Sequence, residues 1–269
     1  NPQIIADGAG GAIIVWQDDR DVGANGTDIY AMRIDADGSA AAGWVADGNA
    51  VSAAVDNQTN PQVATNGSDG ALFAWQDDRD VGVTGTDIYA LRMDGDGSLP
   101  VGWSVDGNMV CDELDNQTNP RIADDNSGGA IIVWEDDRDV GTTGTNIYTQ
   151  KITSSGSRSW ALLTNGRAVS TSADNQNNPH IIADGLGGAI MVWEDNINSG
   201  VYGTDIYAGK VSSTGVVSTT ILCEYLDNQT NPRLVSDGAN GAIVIWQDDR
   251  DTATTGTDIY VHRLTSAGS

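Results

Sequence analysis

Ala12-Ile13-Ile14-Val15-Trp16-Gln17-Asp18-Asp19-Arg20-Asp21 is an apolar run that ends on a tryptophan and breaks into acids. It is written five times. Its copies close on Trp75, Trp134, Trp193 and Trp246. Working outward, an Asn-Pro pair precedes each copy, at Asn1, Asn60, Asn119, Asn178 and Asn231, and eleven residues after each tryptophan a Thr opens Thr-Asp/Asn-Ile-Tyr. The Asn-Pro spacings are 59, 59, 59 and 53 residues. Self-similarity at a fixed period means that one repeat is one supersecondary unit, able to bury its apolar faces only against its neighbours.

Within the first repeat, Pro2 to Asp7 is a short apolar run and Asp7-Gly8-Ala9-Gly10-Gly11 a turn. Ala12 to Gln17 is apolar on both faces, as a strand covered on two sides must be. A long loop, Asp18 to Gly26, leads to a third strand over Asp28 to Ile34, and Asn49 to Ala53 is a weaker fourth. No segment carries an apolar period of 3.6 over a helical length. Four short antiparallel strands per unit, five times over, predict an all-β fold: a five-bladed β-propeller in one domain, with repeats 1–59, 60–118, 119–177, 178–230 and 231–269. A solenoid would use shorter rungs. The last repeat reaches Ser269 where its fourth strand should begin, so its blade is expected to be three-stranded, with the edge at Asp258 to Leu264 open to another chain or copy. The strand order also places the linkers, such as Asp56 to Asn60, on the same face of the ring as the acidic loops, such as Asp18 to Asp21.

The net charge is −25, and 34 of the 38 acids are Asp. Such a surface repels polyanions, which excludes nucleic acid and anionic membrane as partners. No stretch of eighteen apolar residues exists, so no membrane insertion is expected. The chain opens in mid-motif on Asn1 and reads as a piece of something longer. Cys111 and Cys223 hold the same place in repeats two and four; equivalent positions on non-adjacent units lie too far apart to bridge, so two free thiols are expected.

Aspartate is the acid of turns and of oxygen-lined cation sites. The loops after the tryptophans gather Asp18, Asp19, Asp21 and Asp28; Asp77, Asp78, Asp80 and Asp87; Asp136, Asp137 and Asp139; and Asp248, Asp249, Asp251 and Asp258. These are candidate calcium ligands. The competing reading is that Arg20, Arg79, Arg138 and Arg250 tie each loop down by pairing with one Asp. Repeat four departs, with Asn196 and Asn198 in place of two acids and no Arg. The linkers carry Asn57, Gln58, Asn116 and Gln117, whose amides suit sugar hydroxyls or a latch between blades, the latch being the stronger reading. One position varies: Gln3, Gln62, Arg121, His180 and Arg233 would form an uneven, partly basic ring at the tunnel mouth, where a single-copy ligand site would lie. Asp35-x-Asp37-Gly38 and Asp94-x-Asp96-Gly97 resemble the start of a calcium loop but lack its downstream Glu, so they read as hairpin turns.

An enzyme is not expected. A glycosidase needs two carboxylates in different environments. Glu135 and Glu194 fill a slot that is Gln17, Gln76 and Gln247 elsewhere, Glu113 and Glu224 sit beside the cysteines, and neither pair reads as acid and nucleophile. His180 and His262 are too few for a triad or a transition-metal site.

The pattern Asn-Pro, Asp-Gly-x-Gly-Gly-Ala-Ile-x-x-Trp-x-Asp-x-Arg, then Asp-Ile-Tyr-Ala resembles propeller-like repeats of bacterial secreted and cell-surface proteins, over all five repeats. At the level of five small blades the architecture is similar to the tachylectin-type lectins. The resemblance implies an extracellular or cell-surface setting. Repetition of the loops implies a non-catalytic binding or assembly module of a larger protein, with calcium as a possible cofactor. Its expected partner is a glycan, a protein or identical subunits; a glycan-binding lectin is the alternative and a glycoside hydrolase the less favoured one.

Overall fold

The computed structural model describes residues 1–160, 164–197, 199–201 and 203–268. Five antiparallel sheets follow one another along the chain as a five-bladed propeller, four of them four-stranded and the last three-stranded. Blade one is β1 (Gln3–Ala6), β2 (Ala12–Asp18), β3 (Asp28–Ile34) and β4 (Asn49–Ser52). Blade two is β5 (Gln58–Thr65), β6 (Ala71–Asp77), β7 (Asp87–Met93) and β8 (Asn108–Cys111). Blade three is β9 (Gln117–Asp124), β10 (Ala130–Asp136), β11 (Asn146–Ile152) and β12 (Arg167–Ser170). Blade four is β13 (Gln176–Ala183), β14 (Ala189–Asp195), β15 (Asp205–Val211) and β16 (Val217–Cys223); blade five is β17 (Gln229–Ser236), β18 (Ala242–Asp248) and β19 (Asp258–Leu264). No helix occurs among the described residues. Cys111 and Cys223 are free and buried.

Alternation along each strand gives a blade two apolar faces. In blade one, Ile13, Val15, Ile29 and Ala31 point forward to blade two and are fully buried, while Ile14, Trp16, Tyr30 and Met32 point to the rear. Each seam is a forward face closed by the rear face of the next blade. At the last seam Ile190, Val192, Ile206 and Ala208 pack with Ala242, Val244, Trp246 and Leu264. Trp75, Trp134 and Trp193 are fully enclosed, and each lies over the Tyr opposite it in the neighbouring strand, as in Trp75 on Tyr89 at 6.4 Å between centroids. A second set of tryptophans closes the outer seams: Trp44 Nε1 donates to Gly95 O (2.9 Å) and Trp103 Nε1 to Ser154 O (3.0 Å) in the next blade. Burial of each such ring supplies a few kcal/mol of the driving force (~2–3).

The Asn-Pro pairs differ from expectation. In blades two to five they do not lead into the inner strand but sit inside it, because β5, β9, β13 and β17 begin two residues earlier at Gln, whereas β1 begins after its Asn-Pro at Gln3. The register shifts there, between Thr59 and Gln62 in blade two, and Asn60, Asn119, Asn178 and Asn231 adopt φ of 53°, 51°, 53° and 54°. This is a β-bulge. Asn tolerates the left-handed region, and the Pro that follows has no N–H to lose from the ladder.

Candidate functional site

The bulge aims each Asn side chain at the residue after the buried tryptophan of its own blade and its backbone N–H at the same position of the preceding blade. Asn60 Nδ2 donates to Gln76 Oε1 (2.9 Å), and the same oxygen accepts the N–H of Asn119 in the next blade (3.2 Å). One repeat on, Asn119 Nδ2 donates to Glu135 Oε2 (2.7 Å) and the Asn178 N–H to Glu135 Oε1 (2.7 Å). Asn178 Nδ2 then donates to Glu194 Oε1 (2.9 Å), which also accepts the Asn231 N–H (2.7 Å). The result is a belt of amide latches across successive seams. Two of its members are carboxylates, in adjacent blades, and both are hydrogen-bonded to Asn178.

The variable position comes together on the inner side of this belt. Gln3, Gln62, Arg121 and His180, with Asn1 and Asn60, line a cavity of about 330 Å³. Arg233 joins it through a 2.7 Å contact between its Nη1 and His180 Nε2. Burial, then the charges of Arg233 and Arg121, push the His180 imidazole down to about 3, so the ring is neutral at ordinary pH. Burial holds Glu135 above the usual carboxylate range, more strongly than its two donors and Arg121 pull it down. Burial likewise lowers Arg121, which Glu135 partly offsets. Acids, guanidinium groups and a neutral imidazole therefore share one end of the axis, and only blades three to five supply them. In sequence, Glu135 and Glu194 fill a Gln slot and do not read as an acid and a nucleophile. The available signal was that both substitutions fall in the repeats that also carry Arg121 and His180.

The acidic loops have another use. Asp77, fully buried, accepts Arg79 Nε on Oδ1 (2.8 Å) and Arg79 Nη2 on Oδ2 (2.5 Å), and takes the Trp75 indole N–H at 2.8 Å. The Arg79 guanidinium lies 3.9 Å over the Tyr89 ring and donates to Asp106 O. Asp18, Asp136 and Asp248 repeat this bonding with Arg20, Arg138 and Arg250. These four carboxylates each hold an arginine and an indole. Asp19, Asp78, Asp137 and Asp249 each accept the hydroxyl of the Thr eight residues on. Asp21, Asp80, Asp139 and Asp251 use their backbone carbonyls to close the loop turn. Asp28 is buried with neither carboxylate oxygen hydrogen-bonded, whereas Asp87 leaves only Oδ1 unpaired and accepts the Thr84 hydroxyl on Oδ2, as Asp258 accepts that of Thr255. Desolvation pushes Asp87 up to about 7. Among the described residues no three His, Cys, Asp or Glu groups converge on a metal position. Asn198 of the divergent loop lies outside the described residues.

The linker amides are interior fixings. Gln58 is fully buried, its Nε2 shared among Ala54 O, Val55 O and Asp56 O, and Gln117 is held in the same way. Asn57 Oδ1 accepts the Thr27 N–H, while Asn57 O accepts the Asp78 N–H. Asn116 repeats both bonds with Thr86 and Asp137. Linker and acidic loop thus meet on one face of the ring, and their polar groups are spent on each other. These bonds are those of a latch between linker and loop.

No protein-family model matches the chain, and no curated protein matches its sequence. Several solved structures share the fold. A protein of unknown function from Dyadobacter fermentans DSM 18053 is 9% identical with a TM-score of 0.55, over 100% of this chain and 79% of that one. An alpha-L-arabinanase of Penicillium chrysogenum, solved with arabinobiose, is 15% identical with a TM-score of 0.52, over 97% of this chain and 76% of that one. Puromycin hydrolase is 15% identical with a TM-score of 0.53, over 99% of this chain and 38% of that one. None of the three is a tachylectin-type lectin; what they share with this chain is the propeller. Two are hydrolases, and this overturns the expectation of a non-catalytic module and of no enzyme. The step from repeated loops to inertness fails, because the same architecture occurs in proteins named as hydrolases.

Proposed function

We propose that the chain is a glycoside hydrolase whose reaction centre is the axial end of blades three and four. The observation that carries this is Asn178, which is bonded to Glu135 through its backbone N–H and to Glu194 through its side chain. Two carboxylates are thereby held in neighbouring blades beside a polar cavity. Glycosidic cleavage needs one carboxyl able to donate a proton and a second one across the scissile bond. Glu135, raised by burial, is the proton donor to the leaving oxygen, and Glu194 is the second carboxylate. Asn60, Gln62, Arg121 and the neutral His180 supply donors and acceptors matched to sugar hydroxyls. A hydrolase fold neighbour acting on arabinan makes arabino-oligosaccharides the first substrates to try, and an extracellular setting at a bacterial surface would give access to such polymers.

The test is turnover of a panel of chromogenic glycosides and arabino-oligosaccharides by the purified chain, alongside Glu135→Gln and Glu194→Gln. Glutamine already fills this slot at Gln17, Gln76 and Gln247, so both variants keep the latch and fold. Each should lower turnover by roughly 100-fold or more. No hydrolysis by the unaltered chain, or variants as active as the unaltered chain, would overturn the reading.

A further inference from the structure

Four forward faces are covered by the next blade, and the fifth is bare. In blade five Ile243, Ile245, Ile259 and Val261 are 39%, 43%, 67% and 65% exposed. Their equivalents in blade four, Ile190, Val192, Ile206 and Ala208, are 3%, 0%, 0% and 1% exposed. Val235, on the same face of β17, is 61% exposed. On blade one the rear face is open in the complementary sense: Ile4 is 65% exposed, and Ile14, Trp16 and Met32 are only half-buried where their blade-two counterparts Phe73, Trp75 and Leu91 are sealed. Blades five and one therefore do not close on each other. Each presents the half of a seam that the molecule elsewhere completes four times.

We infer that the opening between blades five and one is the seat of a sixth sheet of this same repeat chemistry. Such a sheet offers a Trp/Tyr-bearing rear face to blade five and an Ile/Val forward face to blade one, with a bulged Asn placed to donate to Gln247. The occupant is argued from continuity with the four internal seams: the bare surface is a fifth copy of one that this sheet type already covers. A second whole copy fits less well. Docking its first blade here would bring four more sheets around an axis that this copy's own blades already surround. Its charge of −25 would also meet an equal charge.

The test appends a second copy of residues 35–118, connector and blade together, after residue 264 and compares the six-repeat chain with the unaltered one. The expected result is a melting temperature higher by about 5 °C or more, loss of hydrophobic-dye binding, and slowed hydrogen exchange in β18 and β19. The same extension carrying Phe73→Asp and Trp75→Asp in the added copy should give none of these. Unchanged melting and dye binding in the six-repeat chain would overturn the proposal. Sedimentation of the unaltered chain supplies an independent arm. A dye-binding monomer supports the seat, whereas self-association abolished by Ile245→Asp would make a second copy the occupant and refute it.

Discussion

At the scale of single residues, the fate of each acid depends on what pairs with it, and neighbouring repeats give internal controls. Asp77 is fully buried and held by Arg79; removing the arginine leaves an uncompensated interior charge. Arg79→Met should therefore cost about 2–3 kcal/mol, less than for a wholly enclosed pair because the guanidinium is partly solvated. Blade four lacks the arginine, and burial, helped by the charge of Asp174, raises Asp195 against its two hydrogen bonds. Ile197→Arg rebuilds the pair over Tyr207 and should gain about 1 kcal/mol in chemical denaturation; a loss would mean that the loop cannot place the guanidinium. Asp87 tests the opposite case. Its folded-state value, about 7, lies above the unfolded value near 4, so the folded chain keeps a proton that the unfolded chain has lost. Stability is then complete at low pH and declines as pH rises from about 4 to about 7. Asp87→Asn, the residue that blade three carries as Asn146, should raise the melting temperature at pH 8 and do little at pH 4. A melting curve at pH 8 lowered by this substitution would show that the carboxylate is used ionised, with a cation as its partner.

At the scale of elements, the strands were legible because their causes are local. A doubly apolar run with a terminal Trp, followed by Thr-Asp-Ile-Tyr, has no other way to bury both faces, and the four-stranded order follows from the turns between. The bulges were not legible, since Asn-Pro reads equally well as a loop entry, and only pairing with the next strand puts Asn60 at positive φ. The same limit hid the site. The slot of Glu135 and Glu194 is visible in the repeat, but their convergence on Asn178 exists only once blades stack. A glycine shows how tightly they do. Gly107 has φ of 88°, and a Cβ there would stand 2.4 Å from the Trp75 ring. Gly107→Ala must both strain the backbone and displace a fully buried indole, so we expect a loss of roughly 2–4 kcal/mol. Gly141→Ala, with nothing near its Cβ, is the control and should change little. Equal effects would mean that the seam yields more readily than its burial implies.

At the scale of the whole molecule, two electrostatic effects oppose each other, and ionic strength separates them. The buried Asp–Arg pairs at Asp77, Asp136 and Asp248 are shielded from solvent ions, so salt weakens them little. The net charge of −25 is carried largely by exposed aspartates on loops that crowd one face of the ring, and their mutual repulsion disfavours the compact state. This repulsion is screened strongly, since the Debye length falls from about 30 Å at 0.01 M to about 10 Å at 0.1 M. Repulsion should therefore dominate the response. Raising NaCl from about 10 to 300 mM should increase the melting temperature, with most of the gain below about 150 mM, where the screening length passes through the spacing of neighbouring loops. The rise should be smaller at pH 4, where part of the aspartate charge is neutralised. A melting temperature that falls with salt would place the balance with the ion pairs, and the acidic coat would then be held together by its arginines more than it is driven apart by its own charge.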